Sequence, residues 1–99
     1  MAKYFLRNKA VEDLSKIWDY TCEIWSENQA DKYYELIIKT CQEIAKSPTI
    51  GKKYEEISEE ILGLRVGKHI IFYRNLNPKE IEVIRILHGR MDLKNRLDE

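Results

Sequence analysis

The spacing of apolar residues changes midway along this chain, and that change limits the folds it can adopt. Up to about residue 45, apolar side chains recur every three or four residues, which places them on one face of a helix. From residue 62 onward they gather in short runs rich in Ile and Val, separated by Gly, Asn and Pro, as is typical of strands and turns. This order predicts an α+β domain, with helices packed on a mostly antiparallel sheet.

Two helices are predicted before Pro48. The apolar stripe of the first contains Ala10, Leu14, Ile17, Trp18, Thr21 and Trp25. The stripe of the second contains Ala30, Tyr34, Ile37, Ile38, Cys41, Ile44 and Ala45. Asn8 and Asn28 each stand where a side-chain oxygen can cap a first turn, and Pro48 with Gly51 ends the second helix. Because only Ser26–Asn28 separates the helices, we expect an antiparallel hairpin.

Aromatic side chains are concentrated in this helical hairpin. They are Trp18, Tyr20, Trp25, Tyr33 and Tyr34. We expect most of them in the hairpin core, because aromatic rings bury a large apolar area. Any that remain exposed would be suitable anchors for a partner protein.

Four strands are predicted around these helices. Tyr4–Leu6 is a short β-prone start whose place in the sheet the sequence leaves open. Three longer runs follow at Leu62–Val66, His69–Asn75 and Ile81–Leu87. The connections between them suit hairpins, with a tight turn at Gly67-Lys68 and a looser one over residues 76–80. Residues 49–60 are polar and acidic, and we expect a solvated loop there. The predicted fold is one domain over residues 1–99, with an N-terminal strand and a helical hairpin packed on a sheet of about four strands.

Side chains alternate between the two faces of a strand, and in the last two strands this places both apolar and charged residues on each face of the sheet. The sequence therefore does not predict a sheet with one buried face and one solvent-exposed face. In the last strand, one face would carry Glu82, Ile84, Ile86 and His88, and the other Ile81, Val83, Arg85 and Leu87. In the preceding strand, one face would carry Ile70, Phe72 and Arg74, and the other Ile71 and Tyr73. Two helices cover only one face, so the other should keep an apolar groove edged by arginines, a common mark of a partner site. The alternative is that residues 49–60 and the C-terminal tail cover this face.

Length and composition bound the class of protein. Ninety-nine residues make one domain, and 43% hydrophobic with 34% charged residues fits a folded chain. No apolar run approaches the roughly 20 residues that a membrane span needs. Lys3 and Arg7 interrupt the N-terminus, so no signal peptide is expected. These features predict a cytoplasmic protein.

The distribution of charge indicates which half of the chain would bind an anionic partner. The net charge is zero, but residues 1–60 carry −3 and residues 61–99 carry +3, so an anionic partner is expected on the C-terminal half. This imbalance is too small to predict direct sequence-specific binding of nucleic acid.

Cys22 and Cys41 show no metal-binding spacing, and antiparallel helices would hold them about 12 Å apart, too far for a disulfide. We expect two reduced thiols in or near the core, with no metal and no cofactor.

Polar residues of several kinds meet where the last strand ends, at His88-Gly89-Arg90-Met91-Asp92. His88 has an ordinary pKa suited to acid–base work near neutral pH, or it can end the core with a hydrogen bond. Gly89 allows the chain to turn out of the sheet. Arg90 and Asp92 can pair with each other or with the sheet edge, and Met91 can pack on the core or contact a partner. With the positive charge of this half, we expect His88, Arg90, Met91 and Asp92 to contact a target protein.

An ordered set of short motifs runs through the chain from Leu6 to Asp92. The set consists of Lys9-Ala10, Asp13-Leu14, Ile17-Trp18-Asp19-Tyr20-Thr21, Trp25, Gln29-Ala30, Pro48, Gly51, Gly63-Leu64-Arg65, Gly67-Lys68-His69-Ile70-Ile71-Phe72-Tyr73-Arg74 and Arg85-Ile86-Leu87-His88-Gly89-Arg90-Met91-Asp92. On these motifs the chain resembles the ParE toxins, a branch of the RelE/ParE superfamily of bacterial toxin–antitoxin systems.

The resemblance implies a small cytoplasmic toxin encoded beside a ParD-like antitoxin, in systems associated with plasmid stabilisation. ParE-type toxins act on DNA gyrase without an enzymatic activity of their own, stalling it with cleaved DNA and blocking replication. Their antitoxins wrap a helix and an extended segment around the toxin. We therefore expect the antitoxin on the groove, in contact with Arg65, Arg74, Val83, Arg85 and Leu87. The oligomeric state, including a homodimer, is left open.

Two alternatives remain open within the superfamily. A ribosome-dependent messenger RNA endonuclease of the RelE type needs a general base, a general acid and cations for the phosphate. His69, His88 and the arginines could supply such groups. Related nucleases, however, carry a Tyr near the end of the last strand and an arginine where this chain has Ile70. The other alternative is a member that binds its antitoxin but has lost toxicity.

Overall fold

A computed structural model describes residues 2–54 and 58–89 of the chain. The elements within these residues are β1 (Lys3–Leu6), α1 (Asn8–Ile24), α2 (Glu27–Lys46), a 3₁₀ helix (Pro48–Ile50), β2 (Lys52–Lys53), β3 (Leu62–Val66), β4 (His69–Asn77) and β5 (Glu80–His88). The helical half and the strand half lie where the change in apolar spacing predicts them. Neither α-helix in this part of the chain is long and apolar enough to span a membrane.

The strands form one sheet in the order β1-β5-β4-β3-β2. The pairs β2–β3, β3–β4 and β4–β5 are antiparallel, and β1 pairs with β5 in parallel, from Lys3 opposite Glu80 to Leu6 opposite Val83. This arrangement confirms the α+β prediction and gives the first strand its place at the sheet edge. The described sheet has one strand more than predicted, because Lys52–Lys53 pairs with β3 in a segment that we expected to be entirely loop.

Both predicted N-caps are wrong by one or two residues. Arg7 precedes α1 without a capping side-chain hydrogen bond, and Asn8 is the first helical residue. Ser26 caps α2, because its extended backbone lets the hydroxyl oxygen accept a hydrogen bond from the Gln29 N–H at 3.1 Å. Asn28 lies inside the helix, which has already begun at Glu27.

The main core lies between the helices and one face of the sheet. Its buried members are Ala10, Leu14, Ile17, Ile37, Cys41, Ile44, Ala45, Val66, Ile71, Tyr73, Ile81, Val83 and Ile86. Tyr73 is fully buried, and its hydroxyl donates to the Pro48 carbonyl at 2.6 Å and accepts from the Gly51 N–H at 3.0 Å. It thereby ties the segment after α2 to the sheet. Both cysteines are free thiols, as predicted, with Cys41 buried and Cys22 half-buried.

A register shift in β5 reverses the predicted faces of its second half. Phe72 pairs with Arg85, whereas the next residue of β4, Tyr73, pairs with Val83, so β5 has one extra residue at Ile84. Such a bulge changes which side of the sheet the following side chains occupy. Ile86 therefore belongs to the helix-side core, and Leu87 packs with Ile70 and Phe72 on the opposite side. The predicted faces were wrong for these two residues of β5.

The face of the sheet away from the helices is partly covered by the segment before β3. Tyr54 and Ile61 pack on Ile70, Phe72 and Leu87, with the Tyr54 and Phe72 rings edge to face at 5.1 Å. Gly63 makes room for this cover, since a Cβ there would lie 2.6 Å from the Tyr54 ring. The expectation of an open apolar groove is wrong over this centre, and the alternative of cover from residues 49–60 is confirmed for Tyr54.

Candidate functional site

Two predicted site residues meet at the end of the sheet. His88, near the end of β5, pairs directly with His69 at the start of β4, and their rings lie edge to face at 5.3 Å. The Gly89 N–H then donates to the Lys68 carbonyl at 3.0 Å, which holds the chain beside the β3–β4 turn. Arg90, Met91 and Asp92, the other predicted target-binding residues, lie outside the described residues.

Tyr33 of α2 joins this pair, although the sequence did not single it out as a site residue. Its hydroxyl oxygen lies 2.6 Å from His69 Nδ1 and 3.2 Å from the Val66 carbonyl oxygen, and it accepts from the Lys68 N–H at 3.2 Å. Tyr33 and His69 are 36 residues apart and belong to different elements, so no local pattern could have paired them. The helical hairpin is thus anchored to the β3–β4 turn through one phenol.

Gly67 makes this anchor possible. Its backbone has a φ of 56°, in the left-handed region that favours glycine, and a Cβ there would lie 2.7 Å from the Tyr33 ring. The tight turn predicted at Gly67-Lys68 is therefore also a packing requirement of α2.

The electrostatics of the cluster disfavour acid–base work by His69 at neutral pH. Burial and the neighbouring His88 lower the pKa of His69 to about 4, so its imidazole is neutral at pH 7. Burial also raises the pKa of Tyr33 above its ordinary value. A neutral histidine with one ring nitrogen against a tyrosine hydroxyl cannot act as a general acid at pH 7, and with so low a pKa it is a weak base. The cluster is suited to holding the sheet end in place.

Arg65 supplies positive charge at the same end of the sheet. It is exposed, its Nε donates to the Gly67 carbonyl at 3.3 Å, and its guanidinium lies against Gly89. Lys68 is exposed in the adjacent turn. Within the part of the chain that the structure describes, Arg65 and Lys68 are therefore accessible cations near the histidine pair.

Arg74 lies on the same face of the sheet as Arg65, toward its other end. Its Nε is 2.8 Å from Glu82 Oε1, and Arg7 reaches the same oxygen at 3.1 Å. Burial acts to raise the pKa of Glu82, but hydrogen bonds from Arg7 and Arg74 lower it overall. Two arginines around one carboxylate leave a net positive charge that can receive an acidic partner.

The remaining predicted groove residues do not edge a groove. Val83 is fully buried in the helix-side core, and Leu87 is 2% exposed on the opposite face, in the cluster that Tyr54 covers. Arg85 is buried against α1, where its Nε and Nη2 donate to the two carboxylate oxygens of Asp13 at 2.7 and 2.9 Å. The expectation that Val83 and Leu87 line an exposed groove and that Arg85 edges it is therefore wrong.

Asp13 occupies an edge of β5 that no strand within residues 2–54 and 58–89 covers. The pairing with β1 ends at Val83, after which Arg7 donates its N–H to the Val83 carbonyl and the chain enters α1. The Asp13 carboxylate then accepts from the Ile86 N–H at 3.1 Å. Sequence reasoning missed this contact, because Asp13 is a charged residue placed beside the apolar stripe of α1.

The aromatic side chains of the helical hairpin are more exposed than predicted. Tyr20 is 66%, Trp25 71% and Tyr34 42% exposed, whereas Trp18 and Tyr33 are half-buried. Ile24, between Tyr20 and Trp25, is 56% exposed. The expectation that most of these rings lie in the core was wrong. Tyr20 and Trp25 come after Ile17, which is the last buried residue of α1.

No group of three or more His, Cys, Asp or Glu side chains suited to a metal ion occurs among residues 2–54 and 58–89. A shallow cleft of about 520 Å³ lies between β1 and the end of α2, lined by Ala2, Lys3, Tyr4, Phe5, Gln42, Ala45 and Lys46. It contains no acid–base pair, and its strand residue Lys3 pairs with Glu80, at the end of β5 opposite His88.

Comparisons with known proteins agree on one family. The family model described as "ParE toxin of type II toxin-antitoxin system, parDE" matches residues 4–93. Toxin ParE1 of Mycobacterium tuberculosis is 34% identical over 96 residues, covering 97% of this chain and 98% of that protein.

Two solved structures share the fold. The chromosomal ParDE toxin–antitoxin system of P. aeruginosa matches with a TM-score of 0.73 at 20% identity, over 89% of this chain and 95% of the other. The RelBE2 toxin–antitoxin complex of Mycobacterium tuberculosis matches with a TM-score of 0.67 at 14% identity, over 88% and 96%. At these identities the likeness concerns the fold alone.

Proposed function

Because the chain belongs to the ParE toxin family of type II toxin–antitoxin systems, we propose that it inhibits DNA gyrase by binding it and trapping cleaved DNA. The observation that carries the proposal is the sheet end, where Arg65 and Lys68 are accessible while His69 and Tyr33 are engaged with each other. Such a surface is suited to docking on another protein rather than to catalysis. The proposal places the protein in the cytoplasm, where gyrase acts on DNA.

A gyrase assay tests this mechanism directly. Purified gyrase, ATP and supercoiled plasmid are incubated with the toxin, and the plasmid is then separated on a gel. We expect linear DNA that increases with toxin concentration and is absent when gyrase is omitted. Folded toxin that produces no linear DNA at saturating concentration would contradict gyrase trapping.

The proposed target contact begins at His88 and continues into Arg90, Met91 and Asp92. Its support is the position of His88 beside the cations Arg65 and Lys68. Arg90→Ala, and a chain ending after Gly89, should each reduce linear DNA in the gyrase assay. Circular dichroism must show that both variants are folded. Full activity of both folded variants would remove this segment from the contact.

A ParD-like antitoxin is the proposed inhibitor, and the face with Arg65 and Arg74 is its proposed site. Arg65 pairs with Ile70, and Arg74 lies four residues farther along β4, about 13 Å away. An extended segment carrying two carboxylates can span that distance and reach both guanidinium groups. Alanine at both positions should weaken antitoxin binding, measured by calorimetry. An unchanged affinity would show that the antitoxin binds elsewhere.

One observation keeps the RelE-type endonuclease as a second candidate. The structure brings a tyrosine, Tyr33, against His69 beside His88, a combination that the sequence order did not reveal. The low pKa of His69 opposes catalysis at neutral pH. A translation extract containing the toxin should therefore keep its transcripts intact, and cut transcripts would favour the nuclease. A wild-type protein that neither traps gyrase nor cuts transcripts, but still binds its antitoxin, would be a non-toxic member of the family.

A further inference from the structure

The α1–α2 connection carries a second surface that the proposed contacts do not use. We define the hairpin tip as residues 19–31, which contain the last turns of α1 and the first turn of α2. Tyr20, Ile24 and Trp25 in this tip are 66%, 56% and 71% exposed. Three large apolar side chains so close in sequence and so exposed are unusual on a surface that meets only water.

The hairpin tip lies beyond the end of the sheet. Ile37, Cys41 and Ile44 of α2 pack in the core over the strands, and Tyr33 packs at the β3–β4 turn. Residues before Tyr33 continue outward at 1.5 Å each, so Glu27 lies about 9 Å past that turn along the helix axis. The tip therefore projects from the end of the molecule that also presents Arg65, Lys68 and His88.

The hairpin tip is strongly acidic. Asp19, Glu23, Glu27 and Asp31 lie within it, and residues 17–31 contain no Lys, Arg or His. The four carboxylates act together on Cys22, whose thiol pKa is raised by burial and by the charges of Glu27, Asp19, Asp31 and Glu23. A cluster of negative charge around exposed aromatic rings is complementary to a basic protein surface and repels nucleic acid.

Two hydrogen bonds hold the tip in one conformation. Trp18 Nε1 donates to Asp31 Oδ1 at 3.0 Å and joins α1 to α2, and Ser26 caps the start of α2. A rigid surface loses little conformational freedom when it binds, which favours affinity. The tip is thus preorganised for docking.

We infer that the hairpin tip is a second docking surface for gyrase, and that its carboxylates and aromatic rings bind a basic patch of that enzyme which the cleaved DNA leaves free. The inference rests on the proposed function. An enzyme that binds duplex DNA is rich in surface cations, and the carboxylates of the tip can pair with cations that lie beside the bound DNA. The antitoxin is disfavoured here, because the acidic segment proposed for Arg65 and Arg74 would be repelled by the tip.

Two tip variants test the inference in the gyrase assay and in a binding measurement with purified gyrase. Tyr20→Ala with Trp25→Ala removes the aromatic anchors, and Glu23→Lys with Glu27→Lys reverses local charge. We expect each double variant to lose gyrase affinity at least tenfold, because buried aromatic residues and close charge pairs dominate interface energies. The affinity of each variant for the antitoxin should change less than twofold.

Matched controls lie on the same hairpin away from the tip. Leu36→Ala removes an apolar side chain that is 46% exposed on α2, and Glu43→Lys reverses an exposed charge there. Neither control should change gyrase affinity. Circular dichroism and thermal unfolding must show that all variants keep the wild-type fold.

The outcomes separate the two proposals. Wild-type protein that traps gyrase, together with tip variants of equal potency, would overturn the inference and leave the proposed function intact. Tip variants that lose antitoxin affinity and keep gyrase affinity would also overturn it. If the folded wild-type protein does not act on gyrase, the proposed function fails and the inference fails with it.

Discussion

Asp13 and Arg85, 72 residues apart, form a buried ion pair in which both carboxylate oxygens accept a guanidinium hydrogen bond. Each side chain is about 10% exposed. The pair fastens α1 to β5 beyond the point where β1 stops, and the same carboxylate satisfies the Ile86 N–H. The Asp13 side chain therefore accepts the hydrogen bond from Ile86 that a backbone carbonyl of a longer β1 would otherwise accept.

Removal of either partner should be strongly destabilising. Asp13→Ala removes both carboxylate oxygens from a buried guanidinium and the acceptor of the Ile86 N–H, so we expect the free energy of unfolding to fall by about 3–5 kcal/mol. Chemical denaturation followed by circular dichroism measures this loss. Glu12→Ala, one residue away and exposed, is the control and should change stability by less than about 0.5 kcal/mol. A similar small change for Asp13→Ala would show that the pair is dispensable.

Tyr73→Phe removes the hydroxyl that links β4 to the segment after α2. The Pro48 carbonyl would lose its donor and the Gly51 N–H its acceptor. We expect a loss of about 1–3 kcal/mol in the free energy of unfolding. Tyr20→Phe, in an exposed ring, serves as the comparison and should be nearly neutral. Equal stabilities of the two variants would mean that the buried hydroxyl contributes nothing.

Gly67→Ala combines two unfavourable effects. The left-handed backbone costs an ordinary residue about 1–2 kcal/mol, and the new Cβ collides with the Tyr33 ring. Thermal or chemical unfolding should therefore show a loss larger than the backbone effect alone. In a Tyr33→Ala background the collision is absent, so the same substitution should cost less. Identical costs in both backgrounds would argue against the predicted contact.

His69 should make stability depend on pH in a defined direction. Its pKa in the folded protein is about 4, below the ordinary value of 6.5. Between these two pH values the unfolded chain therefore binds a proton at His69 that the folded protein does not bind. This contribution to stability is complete above pH 6.5 and is lost as the pH falls toward 4. His69→Gln should show a shallower decline over that window than the wild-type protein. A His69 imidazole that titrates near pH 6.5 in the folded protein, measured by NMR, would contradict this expectation.

Local patterns in the sequence predict the elements of this fold well. Apolar spacing locates both helices, and the turn residues Gly67-Lys68 separate β3 from β4 as expected. The predicted α+β architecture follows from these elements alone. The predicted capping residues at the helix ends are less accurate. Ser26 rather than Asn28 caps α2, because several neighbouring polar residues could each serve as the N-cap.

The site depends on contacts that sequence spacing does not encode. Ile84 adds one residue to β5 and moves Ile86 and Leu87 to the faces opposite those predicted, and a bulge has no reliable signature in a run of Ile and Val. Tyr33 reaches His69 only through the packing of α2 on the sheet. The exposure of Trp25 likewise depends on how far α1 extends past the strands, which its periodicity cannot tell.

The parallel pairing of β1 with β5 has a consequence for the synthesis of this protein. Lys3 finds its partner at Glu80, so the first strand leaves the ribosome long before the strand beside it has been translated. Contacts so distant along the chain form late in folding. A product that stops short of β5 lacks the strand that joins β1 to β4, and it lacks Arg85, the partner of Asp13. The five-stranded sheet can therefore be completed only after β5 has been translated, and a fragment without β5 cannot form it.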